Sequence, residues 1–257
     1  MKYFIGIDIG STCSKTVVMD ENKNLIHKLL MPTGWSSIDT AENILKALNE
    51  NGISAEESAI VATGYGRVSV PYADKSVTEI TCHAKGACFL SGSDDVFAID
   101  IGGQDTKIIS IENGAVSDFL MNDKCSAGTG RFLEIMANTL SLRPEELCIL
   151  AEKGSGVSIS SMCTVFAESE VISLIGKGES RENIAFAVVD SIVKKVSSQA
   201  KRLSIGGRPV YLTGGLCEFD FLIRSLSDEL GLKVKSSPDA RFAGAIGAAL
   251  SAFKVKK

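Results

Sequence analysis

Two aspartates and two cysteines stand where their side chains can do chemistry. Asp8 closes an apolar run and precedes a glycine turn in Tyr3-Phe-Ile-Gly-Ile-Asp-Ile-Gly-Ser-Thr-Cys-Ser-Lys-Thr-Val-Val-Met19. Asp100 does the same in Val96-Phe-Ala-Ile-Asp-Ile-Gly-Gly-Gln-Asp-Thr-Lys-Ile-Ile-Ser110. A third glycine turn closes Pro209-Val-Tyr-Leu-Thr-Gly-Gly-Leu216. Phosphate groups need backbone N–H donors with no Cβ in the way, which is what a glycine turn after a strand offers. Paired carboxylates beside such turns suit a hydrated Mg²⁺, and neither need touch the metal directly. Ser11, Thr12 and Lys15 are candidate donors to a β-phosphate, with Gly10 in their turn; Gly102, Gly103 and Gln104 are candidates facing a γ-phosphate or attacking water. Gly214 and Gly215 are candidates to border the adenosine. The chain has no G-x-x-x-x-G-K-[ST] and no G-x-G-x-x-G opening a helix, which removes the P-loop and Rossmann alternatives.

The cysteines are Cys125, in Met121-Asn-Asp-Lys-Cys-Ser-Ala-Gly-Thr-Gly-Arg-Phe-Leu133, and Cys163, in Ser158-Ile-Ser-Ser-Met-Cys-Thr-Val-Phe-Ala-Glu-Ser-Glu170. Each is read as standing just ahead of a helix, where the positive end of the dipole and open N–H groups favour the thiolate. Two thiolates are half the set of a [4Fe–4S] cluster, and a twofold dimer with the cluster on its axis supplies the other half. The remaining five cysteines are read as packing residues. The seven are irregularly spaced, which fits neither a disulfide framework nor paired Cys-x-x-Cys zinc motifs. Cys82 and Cys88 flank His83, but that stretch reads better as a small-residue helix than as a metal site. Glu168 and Glu170 suit solvated helix positions and partner contact equally.

The segments that must position these groups follow from periodicity. The two Asp-containing segments are hairpins repeated roughly 90 residues apart, so two homologous α/β domains are expected, at 1–93 and 94–240, with a nucleotide cleft between them. Helices are expected over 38–51, 130–140, 144–153, 168–175 and 184–203, and a strand runs from Ala59 toward Gly64. An Ala- and Gly-rich helix within 241–257 is expected to pack back onto the first domain, its small residues permitting close approach.

Composition agrees with a soluble globular protein. The chain has 257 residues, 45% of them hydrophobic, and 31 acidic against 27 basic side chains for a net charge of −4. No concentrated basic surface points to nucleic acid. No apolar run reaches the ~20 residues of a membrane span, and a strand pattern begins within two residues of the start, so a cytoplasmic location without a signal peptide is expected.

The duplicated hairpin, the ordered Gly-Gly turn and the small-residue terminal helix together resemble the actin, hexokinase and Hsp70 superfamily, implying two RNase H-like domains and ATP or ADP with Mg²⁺. The cysteine segments, with Gly-Arg-Phe after one and Phe-Ala-Glu-Ser-Glu after the other, resemble the activator component of 2-hydroxyacyl-CoA dehydratases. That family, the BadF/BadG/BcrA/BcrD type, also contains the ATPase subunits of benzoyl-CoA reductases. The resemblance covers residues 3 to 254. It implies a homodimer with one [4Fe–4S] cluster held by Cys125 and Cys163 of each subunit, ferredoxin or flavodoxin as electron donor, and a dehydratase or reductase component as acceptor. ATP hydrolysis would change the angle between the helices meeting at the cluster. Cys13 departs from the family pattern, which has a small non-thiol residue there. A small-molecule kinase is a rival reading, but the sequence offers no carboxylate base besides Asp8 and Asp100. A nucleotide-gated binding module without redox chemistry is another, and neither accounts for the cysteines.

Overall fold

The computed structural model describes residues 3–160 and 163–255, which leaves Ser161 and Met162 of the second cysteine segment, and the last two residues of the expected tail, outside the described residues. In chain order the elements are β1 (Phe4–Ile9), β2 (Cys13–Met19), β3 (Leu25–Pro32), α1 (Ser37–Glu50), β4 (Ala59–Thr63), β5 (Lys75–Ser76) and α2 (Glu79–Ser91). There follow β6 (Val96–Ile101), β7 (Thr106–Glu112), β8 (Ala115–Asn122), α3 (Gly130–Thr139), α4 (Pro144–Ala151), α5 (Thr164–Gly176) and α6 (Arg181–Ala200). The chain finishes with β9 (Val210–Gly214), α7 (Asp220–Leu230), β10 (Val234–Lys235) and α8 (Ala243–Ala252).

The chain divides into two compact units: one made of the residues up to Val96, Ile111–Ser117 and those from Asp239 onward, the other of Phe97–Ser110 and Asp118–Pro238. The first sheet runs β3-β2-β1-β4-β5 and the second β10-β9-β6-β7-β8. Written from the far edge the second order is β8-β7-β6-β9-β10, the first repeated with every strand replaced by its counterpart. The parallel pairings repeat too: β1 with β4 places Asp8 opposite Thr63, and β6 with β9 places Asp100 opposite Thr213. The fold is thus α/β with an internal duplication.

Period-two alternation explains where Asp8 points. Ile5, Ile7 and Ile9 join one core with Ile44 and Leu48 of α1, while Phe4 joins the opposite core with Val61, Cys82 and Ala245. Gly6 and Asp8 share the parity of Phe4, so they face α2 and α8. Helix α1 forms because Ser36 caps it, its side chain accepting from Asp39 N at 3.2 Å, and because Thr40, Ala41, Ile44 and Leu48 make one buried stripe.

Helix α8 buries almost its whole circumference, Ala243 to Ala249 without a gap. It approaches so closely because its contacts lack side chains. A Cβ on Gly6 would collide with Ala245 O, one on Gly86 of α2 with Ala243 O, and one on Gly247 with Cys82 O. Backbone therefore lies on backbone at three points, which no larger residue permits. Gly247→Val is accordingly expected to lower the unfolding free energy by about 3 kcal/mol or more through overpacking that cannot relax; a urea denaturation midpoint equal to that of the parent would contradict this.

Candidate functional site

The first glycine turn is closed internally. Gly10 N donates to Cys13 O at 3.2 Å, and Thr33 Oγ1 donates to Gly10 O at 2.7 Å. Ser11 and Thr12 at its tip are exposed, Cys13 half-buried. Lys15 lies opposite Asp8 in the β1–β2 pairing, and its Nζ stands 3.6 Å from where a Cβ on Gly10 would be, so the ammonium caps the turn. The second turn matches: Gly102 N donates to Asp105 O at 2.9 Å, and Gln104 is exposed at the tip. The third turn holds buried Gly214 at φ 90° and exposed Gly215, whose N–H donates to Ile101 O at 2.9 Å. Gly10, Gly102 and Gly215 therefore use their amides to shape the turns. The amides next to them at the tips are the ones placed to meet an anion.

The two aspartates, equivalent in sequence, differ in surroundings. Asp100 is 1% exposed with both oxygens engaged: Thr213 Oγ1 donates to Oδ1 at 2.8 Å and Lys107 Nζ to Oδ2 at 3.4 Å. Lys107 is itself 3% exposed and donates at 2.7 Å to Asp105 Oδ1. Lys107 follows Asp100 by seven residues as Lys15 follows Asp8, so the repeat carried a signal for it, and Asp105 and Thr213 complete the cluster. Lys15 forms no ion pair with Asp8 among the described residues. Asp8 is 5% exposed, its carboxylate flanked by Gly64 and Gly244, on each of which a Cβ would collide with one of its oxygens. Thr63-Gly64, with Gly64 at φ 84°, is the first-unit counterpart of Thr213-Gly214.

The cysteine segments both lie in the second unit and are joined by a hydrogen bond. Ser126 and Thr164, each immediately after its cysteine, are linked Oγ to Oγ1 at 2.7 Å. Cys125 and Cys163 are half-buried. Cys163 is the N-cap of α5. The corresponding expectation for Cys125 needs correction: the N-cap of α3 is Thr129, four residues further on, because Gly128 takes φ 83° and Thr129 folds back with Oγ1 donating to Ser126 O at 2.6 Å. The dipole argument therefore holds for Cys163 and not for Cys125. Helix α5 also begins at Thr164, four residues earlier than its apolar periodicity indicated.

This region is also tied to the second glycine turn. Gly130 N donates to Gly102 O at 2.9 Å and Arg131 N to Gly103 O at 2.7 Å, while buried Thr106 Oγ1 donates to Gly128 O at 2.7 Å. Glu168 accepts from Thr139 Oγ1 at 3.4 Å and Glu170 from Ser160 N at 2.6 Å, so both have intrachain roles. Burial pushes the Cys82 and Cys88 thiols up to about 11 and Cys148 up to about 12, in keeping with packing rather than thiolate chemistry. Among the described residues no group of three or more His, Cys, Asp or Glu side chains is gathered as metal ligands. No helix there is long and apolar enough to cross a membrane.

Replacing Lys107 by Met would leave Asp100 and Asp105 buried around no cation, which should cost about 3–5 kcal/mol of stability. Urea titration of K107M checks this, and an unchanged midpoint would show that the cluster is not held by charge.

The (R)-2-hydroxyglutaryl-CoA dehydratase activating ATPase of Acidaminococcus fermentans is 43% identical over 98% of this chain and 97% of its own length. The crystal structure of component A of the A. fermentans (R)-2-hydroxyglutaryl-CoA dehydratase, 42% identical, superposes with a TM-score of 0.92 over 99% of this chain and 98% of that one. The activator of the 2-hydroxyisocaproyl-CoA dehydratase from Clostridium difficile, solved with bound ADPNP, is 37% identical with a TM-score of 0.90 over 99% and 98% of the two chains. A ROK family glucokinase from Streptomyces griseus, 16% identical with a TM-score of 0.62 over 98% and 100% of the two chains, shares the fold alone. The model of the BadF/BadG/BcrA/BcrD ATPase family matches residues 5–252, and this chain belongs to that family.

Proposed function

We propose that this chain hydrolyses ATP to drive single electrons from reduced ferredoxin or flavodoxin, through a [4Fe–4S] cluster shared by two copies, to a 2-hydroxyacyl-CoA dehydratase or related reductase component. The supporting observation is the hydrogen-bonded chain of the second unit. From the glycine turn at Gly102 and Gly103 it runs through Gly130, Arg131 and the Thr106–Gly128 bond to the Cys125 loop, and through Ser126 and Thr164 to Cys163. A turn that meets the terminal phosphate thereby shares a bonded framework with both thiols. The activating ATPase and the activator to which the chain is similar support the same acceptor class.

The residues fit the groups this reading requires. Two half-buried thiols, adjacent to a Ser–Thr bond and one of them at a helix N-cap, are half a cluster's ligand set. Helix α5 presents Val165, Phe166, Ile172 and Ile175 to solvent, an apolar row suited to a second copy that brings the other two thiols. Asp8, which no lysine neutralises among the described residues, would accept from water on Mg²⁺. Ser11, Thr12 and Lys15 would hold the β-phosphate, Gly103 and Gln104 the terminal phosphate and attacking water, and Gly214 and Gly215 the adenosine. Asp100, fixed by Thr213 and Lys107, would order water on the nucleotide from a preset position. When bound, the cluster supplies one-electron redox chemistry. The chain's own residues hold the nucleotide, hydrolyse it and transmit the change along α3 and α5.

Anaerobic purification tests the reading. A brown protein with about four irons per dimer, bleached by air, is the expected product. Cys163→Ser should lose iron and colour while binding ATP as the parent does; iron at full occupancy in that variant would refute the ligand assignment. A monomer in solution under the same conditions would remove the shared cluster.

A further inference from the structure

The two cysteine segments belong to different connections, one between β8 and α3 and the other between α4 and α5, yet a side-chain bond joins them beside the thiols. Ser126 Oγ and Thr164 Oγ1 stand 2.7 Å from each other across 38 positions of sequence, and both residues are half-buried. Each follows its cysteine directly. Each cysteine Cα therefore lies one peptide, about 3.8 Å, from the Cα of a bonded residue.

Each segment is also held on its own side. Asn122 Nδ2 donates to Cys125 O at 2.8 Å and to Ala127 O at 3.2 Å. Thr129 donates twice to Ser126 O, from N at 3.0 Å and from Oγ1 at 2.6 Å, which ties the loop to the start of α3. In the other segment Ala167 N donates to Cys163 O at 3.0 Å in the first turn of α5, and Ser160 N to Glu170 Oε2 at 2.6 Å. These bonds shape each segment by itself without relating one to the other. The Ser126–Thr164 bond relates them at the cysteines, as the longer Thr139–Glu168 bond of 3.4 Å does further along α3 and α5.

We infer that Ser126 and Thr164 are positioning residues: their bond fixes the Cys125 and Cys163 segments against each other, so that one subunit's two cluster ligands are preset before iron arrives. Without the bond, the cluster would itself have to order the two segments. The conformational entropy lost in doing so would be subtracted from its binding. Groups that act on ligands through their neighbours in this way change how firmly a metal is held.

The inference rests on the proposed cluster, and the test separates the two. Iron-loaded parent, Ser126→Ala, Thr164→Val, Thr164→Ser and the double variant Ser126→Ala/Thr164→Val are mixed anaerobically with excess bathophenanthroline disulfonate, and iron release is followed by its absorbance. Urea unfolding of the iron-free proteins is measured alongside. Ser126→Ala and Thr164→Val should each release iron about tenfold faster than the parent, with the urea midpoint little changed. Thr164→Ser, which keeps the hydroxyl, should stay near the parent's rate. The double variant should release iron no faster than either single variant, since both remove the same bond.

Parental release rates in Ser126→Ala and Thr164→Val, or losses that multiply in the double variant, would overturn the positioning role while leaving the cluster reading intact. Faster release matched by a large fall in the iron-free midpoint would assign the bond to the fold and overturn the role as well. If the parent takes up no iron, the cluster reading fails and the inference falls with it. Should Thr164→Val disturb the first turn of α5, Ser126→Ala, which lies in a loop, carries the same expectation.

Discussion

Backbone packed directly on backbone is the constraint from which the first unit follows. Helix α8 can lie on β1 and α2 only because Gly6, Gly86 and Gly247 present no side chain at the crossing points. That proximity places Gly244 over the end of β1, brings α2 within reach of Asp8 and makes a deep, nearly dry setting for one carboxylate. A carboxylate so placed is useful only if something polar accompanies it, since burying an uncompensated charge is costly. The small-residue content of α8 is therefore a requirement of the site as well as of packing.

Duplication has supplied two copies of one hairpin, and divergence has given their aspartates different surroundings. Strand order, the Asp–Thr register and the positive-φ glycine that follows that threonine are the same in both units. The polar contents are not. One aspartate is pinned by a buried ammonium and a threonine hydroxyl, a rigid arrangement in which orientation is preset. The other, Asp8, is buried without that lysine.

Much of this was legible in the chain. The apolar runs ending in Asp8 and Asp100, each followed by a glycine turn and a second β-rich run, marked both hairpins. Helices α1, α3, α4 and α6 emerged within a few residues of their true ends because their apolar stripes are buried. The start of α5 was missed since Val165 and Phe166 are exposed, so apolar residues there do not follow the helical period. Strands β3 and β8 escaped because each is an edge strand of half-buried alternation without a continuous apolar run. Lys107 was readable from the repeat, seven residues after its aspartate. The crossing of α2 on α8 was not: it depends on Gly86 meeting Ala243 and Gly247 meeting Cys82, residues far apart in sequence.

The first two amides of α3 end on the carbonyls of Gly102 and Gly103. Those carbonyls and the neighbouring tip amides belong to the same few peptide planes, so a plane that rotates to greet an incoming phosphoryl oxygen must also swing the acceptor on which the helix hangs. The helix has to follow or surrender its opening bonds. A rotation of one peptide thus becomes a tug on a ten-residue lever whose near end continues into the Cys125 loop.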